Sequence, residues 1–333
     1  MKKLFVLLAA VAFVVAFTVP AMSADWGFYG SARMSTFFND VEPEGGDSDT
    51  DLTWALQGNS RIGAGVKAGD IGGKFEYGTG VNLRQLFGTW NFGGGTLLVG
   101  QTYSPVNMFY SNQVYGSDTD MLNTGGVYGG RNPMIQLKFG GFKIAALSPK
   151  TGAITGAADT DATIPKIEAA YSFKAGPAAF SIQSGYNSYD EEGATSNSIA
   201  SYIAAFGFNF GFGAGYLKGN VYTGQNTGSY GMWGGGSPAY DAINNEVVDN
   251  DSMGYLAVLG FKASDALSFE LGYGFKSEEL DVDVSTEDET SAYYAQAVIN
   301  LAKGCFVVPE IGMIDHKDVS ETTYYGAKWQ INF

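Results

Sequence analysis

Residues 322–333 read TTYYGAKWQINF. Thr322, Tyr324, Gly326, Lys328, Gln330 and Asn332 fall on one side of an extended chain, and Thr323, Tyr325, Ala327, Trp329, Ile331 and Phe333 on the other. A period of two means a β-strand, and here one face is apolar. The pattern recurs upstream. Leu267, Phe269, Leu271, Tyr273 and Phe275 oppose Ser268, Glu270, Gly272, Gly274 and Lys276. Near the start, Trp26, Phe28, Gly30, Ala32 and Met34 oppose Tyr29, Ser31, Arg33 and Ser35.

Working outward, sixteen strands are predicted, near 26–38, 53–67, 72–80, 82–92, 95–104, 132–140, 142–149 and 164–175, then 177–189, 198–210, 212–224, 252–263, 266–279, 291–302, 305–317 and 322–333. The connections alternate in length. Gly93-Gly94-Gly95, Gly140-Gly141, Ala175-Gly176-Pro177 and Lys303-Gly304 are turn-sized, and Gly and Pro suit tight turns. Segments near 39–52, 105–131, 150–163, 190–197, 225–251 and 280–290 are long and polar, and the links near Gly80 and Ser320 are short exceptions among them. Short turns on one rim and long loops on the other are the pattern of a transmembrane β-barrel. A soluble sandwich would also alternate, but it gives no reason for this asymmetry of loop length.

Composition agrees. Of 333 residues 47 are Gly, 20 Tyr and 23 Phe, and only 16% are charged. Disorder needs more charge and fewer aromatics, and a coiled coil needs heptads. A net charge of −15 argues against a nucleic-acid partner. A single cysteine, Cys305, leaves no intrachain disulfide.

The N-terminus, MKKLFVLLAAVAFVVAFTVPAMSA, has two lysines, an apolar run, Pro20 and then small residues. It reads as an export signal over residues 1–23, cut after Ser23; a cut after Ala24 would put the larger Met22 where a small side chain is wanted. A retained anchor fits less well, because the run is short and ends at Pro20. The remainder, 24–333, reads as one barrel domain. An exported chain without a spanning helix can still cross lipid as a closed barrel.

The stretch Asn82–Pro105, NLRQLFGTWNFGGGTLLVGQTYSP, resembles the general diffusion porins of Gram-negative outer membranes. There an arginine-bearing strand, a Gly turn and a strand ending in a Gly-Gln-type pair lead into a long third loop. Tyr128–Phe139, YGGRNPMIQLKF, looks like the return strand. The closing YYGAKWQINF resembles the assembly signal of outer-membrane barrels, carried by Trp329, Ile331 and the terminal Phe333. The resemblance implies an outer-membrane location among lipid and lipopolysaccharide, recognition by the barrel-assembly machinery, a homotrimer, and passive diffusion of small hydrophilic solutes and ions through a water-filled pore. It implies no enzyme activity, cofactor or metal. It also maps Arg33, Arg61 and Arg84 to a basic wall, Asp118 and Asp120 to a third loop folded into the lumen, and Arg131 to the point where that loop rejoins the wall. Basic and acidic rows would then face each other across the narrowest section. This third loop has no Glu, and the arginine cluster is sparser than in several relatives.

Alternation itself puts Arg33 on a polar face and sets Arg61 with Gln57, Asn59 and Lys67; Gln85 leaves the facing of Arg84 open. It also offers Lys74, Glu76, Lys138, Lys166, Glu168, Glu270 and Lys328 as lumen residues. Lys or Arg on the lipid face would cost about 2–4 kcal/mol at midplane, whereas a water-filled lumen tolerates them. Acids crowd the first loop (Glu42, Glu44, Asp47, Asp49, Asp51) and the seventh (Asp281, Asp283, Glu287, Asp288, Glu289). They read as solvated surface, or as a divalent-cation site, although no calcium-loop spacing is present. Net charge tips the expected selectivity toward cations. The glycines Gly207, Gly211, Gly213 and Gly215 read as bulges and turns.

Three other functions fit less well: an enzyme, a substrate-specific channel and a purely structural or adhesive barrel. An enzyme would need a catalytic set, but His316 is the only histidine and no G-x-S-x-G elbow occurs. A substrate-specific channel for sugars or organic acids would need a lined path, and Tyr230–Tyr240, YGMWGGGSPAY, is a candidate aromatic platform for one.

Overall fold

The computed structural model describes residues 24–154, 159–192, 196–241, 244, 246–282 and 287–333. The expected export signal and Asp283 lie outside these residues. The wall has sixteen antiparallel strands. They are β1 (Asp25–Pro43), β2 in two halves (Asp49–Leu56 and Arg61–Ala68), β3 (Ile71–Gly78), β4 (Leu83–Asn91), β5 (Thr96–Tyr103), β6 (Arg131–Phe139), β7 (Phe142–Leu147) and β8 (Lys166–Ala175). They continue with β9 (Ala178–Glu192), β10 (Asn197–Phe212), β11 (Gly215–Gln225), β12 (Asn250–Lys262), β13 (Leu267–Leu280), β14 (Asp288–Ala302), β15 (Cys305–His316) and β16 (Ser320–Asn332). Each pairs with its neighbours in sequence, and β16 closes the ring on β1 from Ser31↔Asn332 to Pro43↔Ser320. Closure leaves no open edge, which is what lipid requires.

The barrel is inside-out. Phe28, Trp54 and Phe333 are 77%, 71% and 71% exposed on the outer surface, while inward Glu76 and Glu168 are 1% and 0% exposed. That inversion separates a membrane barrel from a sandwich, where apolar faces meet in a core. Rings gather near the short turns, as in Phe92 against Phe139 and Phe173 against Phe180. A second tier sits higher on the strands, with Phe38 stacked on Tyr325 and Tyr255 beside Tyr273. Two such girdles bound the apolar band of outer-membrane barrels.

The inner face explains the glycine and tyrosine content. A Cβ at Gly260, Gly272 or Gly312 would overlap the ring of Tyr216, Tyr294 or Tyr324 respectively. Each ring lies flat over a bare backbone patch on a neighbouring strand instead of standing into the lumen. Gly207 belongs to this class, not to the bulges expected of it: a Cβ there would meet Met108 and Tyr110 of the third loop. Gly213, at φ +60°, sits in the β10–β11 turn as expected.

The strands differ from the sequence reading in three places. The 53–67 strand is broken: four residues, 57–60, arch away between pairs Met34↔Leu56 and Ser31↔Arg61. The β1–β2 hairpin runs on to Val41↔Asp49, shortening the expected 39–52 loop. Above the membrane, polar pairs such as Thr50 Oγ1 to Asp40 Oδ1 (3.1 Å) still favour strand. In β4 the register steps from Glu76↔Gln85 to Tyr77↔Leu83, leaving Arg84 as an extra residue. That bulge turns both Arg84 and Gln85 inward, where both are buried.

The segment between β5 and β6 folds into the lumen. Its ends pair at Asn107–Met108 and Val127–Tyr128. Wall carboxylates capture its backbone: Glu168 accepts Val106 N–H at 2.8 Å, Glu270 accepts Asn112 N–H at 2.9 Å, and Glu310 accepts those of Val114 and Tyr115 at 2.7 and 3.0 Å. Hydrogen bonds to a charged acceptor are worth about 1.5–3 kcal/mol each. A second segment, between β11 and β12, also folds inward. Lys166 donates to Tyr230 O at 2.8 Å and Lys276 to Gly234 O at 2.9 Å. Val106, Met108, Val127, Ile203, Ala205, Tyr222, Tyr230 and Met232 form an apolar cluster there, filling one side of the lumen.

Candidate pore constriction

The tip of the third loop is a left-handed turn. Gly116, Ser117 and Asp118 have φ of 60°, 72° and 60°, and Asp118 N–H bonds Val114 O at 3.2 Å. Only Gly adopts this backbone freely, so Ser117 and Asp118 need outside support. Asp118 receives it from four side chains. It is ion-paired with Arg33 and with Lys328 (2.9 Å), and accepts hydrogen bonds from Gln57 (3.2 Å) and Asn59 (3.1 Å). Arg33 comes from β1, Lys328 from β16, and the amides from the arch at 57–60.

Glu76 on β3 holds a second network. Arg84 Nε donates to it at 2.8 Å, Tyr29 OH donates at 2.7 Å, and Arg61 and Lys74 each lie 3.7 Å away. Asn59 joins the two networks: its Oδ1 accepts from Arg61 (2.7 Å) and Arg84 (2.9 Å), and its Nδ2 donates to Asp118. Arg131 stands apart, with Tyr103 OH at 3.2 Å and its guanidinium 5.3 Å from that ring.

Two cavities meet here. The larger, about 600 Å³, is lined by Arg33, Arg61, Glu270, Gln296, Lys328 and Gln330 among others. The smaller, about 230 Å³, is lined by Arg84, Arg131, Tyr128, Ser117 and Trp233 among others. Asn59, Tyr103, Phe109, Asp118 and Asp120 line both. Burial, reinforced by the Asp118 charge, pushes the Asp120 carboxyl well above the usual carboxylate range.

The structure thus brings Arg33, Arg61, Arg84, Arg131, Asp118 and Asp120 to one section of the lumen. Their arrangement corrects the expected facing rows. Asp118 closes onto Arg33 by direct contact, so this part of the basic wall is neutralised in place. Lys74, Glu76 and Lys328 join the same networks. Lys138 does not: it faces inward but pairs with Lys143 beside the Gly140-Gly141 turn, at the rim. Lys166 and Glu168 lie 3.1 Å apart under the two inward loops, across the apolar fill. Glu270 pairs with Lys218 at 3.6 Å and takes hydroxyls from Tyr216 and Tyr294. Trp329, Ile331 and Phe333 face outward on the closing strand. His316, at the far end of β15, lies 3.1 Å from the Thr290 hydroxyl. Among the described residues no cluster of His, Cys, Asp and Glu is placed to hold a metal.

A family model described as Gram-negative porin matches residues 9–319. The chain belongs to the Gram-negative porin family. The porin is similar in fold to the outer membrane channel DcaP of Acinetobacter baumannii (TM-score 0.74, 19% identity, 93% of this chain and 97% of that one). It also resembles the anion-selective porin from Comamonas acidovorans (0.61, 15%, 93% and 100%) and OmpT of Vibrio cholerae in a trimer form (0.58, 13%, 93% and 99%). No curated protein matches it by sequence.

Several residues that shape this porin's lumen give only a weak sequence signal. Glu310 sits on the inward face of β15 with Val308 and Gly312, so alternation could have found it. Asn59 was visible as a lumen residue, but its bridging role comes from the arch. Trp233 lies within the aromatic platform read from the sequence, yet its neighbour Tyr230 is wholly buried under that platform.

Proposed function

We propose that this outer-membrane channel passes small hydrophilic solutes and ions by passive diffusion and performs no bond chemistry. The observation that supports this best is a pair of adjoining cavities inside the barrel that share Asn59, Tyr103, Phe109, Asp118 and Asp120 and are lined by charged side chains. A pore lined in this way selects by width and field.

The field in these cavities favours anions. Seven cations line the two cavities or pair with their carboxylates (Arg33, Arg61, Lys74, Arg84, Arg131, Lys218, Lys328), against four carboxylates (Glu76, Asp118, Asp120, Glu270). This local excess opposes the chain's net −15. Rim acids act at a distance through a screening length of about 8–10 Å at physiological salt, whereas the arginines line the path itself. This reading runs opposite to the expectation drawn from net charge.

The remaining assignments rest on sequence and likeness. Residues 1–23 act as the export signal and 24–333 form the single barrel domain. The C-terminal strand addresses the barrel-assembly machinery, and the assembled porin is a homotrimer among lipid and lipopolysaccharide. Single-channel recording under a KCl gradient tests the function. Stepwise conductance closing in threes, with a reversal potential of anionic sign, is expected. Correctly folded protein that carries no current would refute the diffusion channel, and a cationic sign would refute the field argument.

A further inference from the structure

The smaller cavity has a composition that plain diffusion does not need. Four rings form one continuous edge-to-face array along it. Tyr103 and Phe109 have centroids 5.1 Å apart, Phe109 and Tyr128 6.0 Å, and Tyr128 and Trp233 6.0 Å, at interplanar angles of 65–76°. The array spans two loops and the wall. Trp233 is fixed by its own N–H to Tyr128 O (3.0 Å), while Lys276 holds the next residue's carbonyl. Its ring is nonetheless 43% exposed. A large aromatic ring held rigidly and left open at a pore entrance is a surface waiting for a partner.

Beside the array stands the cation that the two ion networks leave over. Arg131 makes no ion pair among the described residues; its partner is the neutral hydroxyl of Tyr103. Arg84 lines the same cavity. At about 230 Å³ the space is smaller than the pockets of drug-sized ligands, which start near 300 Å³. It suits one ring with one small charged group.

We propose that this cavity is a binding subsite for planar aromatic carboxylates, with the solute ring on Trp233 and Tyr128 and its carboxylate at Arg131. The subsite deepens the channel reading on which it rests: Tyr103, Arg131 and Trp233 place it toward the long loops, whereas the larger cavity runs on to Ser268 and Phe306 beside the short turns, so a solute captured from the loop side meets Arg61 and Arg33 next. A guanidinium can take a carboxylate through two parallel N–H donors. A sugar would need several hydrogen-bond partners, whereas this array offers ring faces.

The test compares benzoate with cyclohexanecarboxylate, which matches it in charge and approximate size but is not planar. Block of KCl current through the purified full chain gives the affinity of each. Isothermal calorimetry on detergent-solubilised protein gives it again without requiring an open pore. Benzoate is expected to bind about two- to tenfold more tightly, the range of an aromatic pair. Trp233→Ala should erase that ratio and Trp233→Phe should restore it. Arg131→Gln should weaken both acids together. Heat-modifiable mobility on gels confirms that each variant is folded. Equal affinities in the wild type, equal block by glucose, or a ratio that survives Trp233→Ala would overturn the subsite. Absent KCl current with benzoate-selective calorimetry would overturn only the diffusion reading.

Discussion

Replacing Asp118 with Asn removes one charge from the lining shared by the two cavities and little else. Asn occupies left-handed backbone at least as readily as Asp, so the turn at Gly116–Asp118 keeps its conformation. The amide can still bond Gln57 and Asn59. What changes is that Arg33 and Lys328 lose the carboxylate they share. Both line the water-filled passage and can rehydrate, so the loss stays near the value of one charged hydrogen bond, about 1.5–3 kcal/mol. A buried pair stripped of one partner would cost more, about 3–5 kcal/mol. The permeant ion feels one additional positive charge. For an ion passing roughly 6 Å away in water, that is about 0.7 kcal/mol, attractive for an anion and repulsive for a cation. Screening at physiological salt roughly halves it. The two ions move in opposite directions, so the anion-to-cation permeability ratio should rise about threefold. Reversal potentials in a KCl gradient, taken at low and high salt, measure this. The shift should shrink at high salt. An unchanged ratio at low salt would mean that Asp118 does not face the ion path, and the electrostatic account of the constriction would fail with it.

Glu310→Ala should loosen the third loop by removing the acceptor of two backbone N–H groups, raising current noise and mean conductance; Glu310→Gln, which keeps one acceptor, should do so less. The anion preference should grow as pH falls, beginning above the range where ordinary surface carboxylates titrate, because burial and the Asp118 charge raise the Asp120 carboxyl and it takes up its proton before they do. Asp120→Asn should flatten that profile, and a wild-type profile following only the ordinary carboxylate range would exclude Asp120 as its source. Gly312→Ala should force the Tyr324 ring off the wall and lower the heat-modification temperature of the barrel, at a cost of about 1–3 kcal/mol for overpacking.

The fold was legible because alternation has only two answers per residue, and a barrel wall asks no more. Trp329, Ile331 and Phe333 had to face lipid once Lys328 and Gln330 faced water. The strand ends were harder. Apolar patterning stops where the membrane stops, but the backbone hydrogen bonds do not, so the β1–β2 hairpin outran its apolar signal. Arg84 was ambiguous for a related reason: a bulge reverses facing within one residue, and no side-chain pattern marks where a register step falls.

The constriction was only half legible, because facing is not position. Arg33 and Arg61 could be assigned to the lumen, and Asp118 to the loop, but their heights depend on strand tilt and on the arch at 57–60. That arch decides the electrostatics. It carries Asn59 to where Arg61, Arg84 and Asp118 converge, and it lets the loop carboxylate dock on the wall instead of standing opposite it. With Asp118 and Glu76 occupied by wall cations, Arg131 is left without a carboxylate partner among the described residues, beside rings contributed by two separate loops. Net charge points the other way because it counts rim acids and cavity-lining arginines alike. Selectivity in such a barrel follows from which charges remain unpaired on the path, and that is a property of the docked loop, not of the composition.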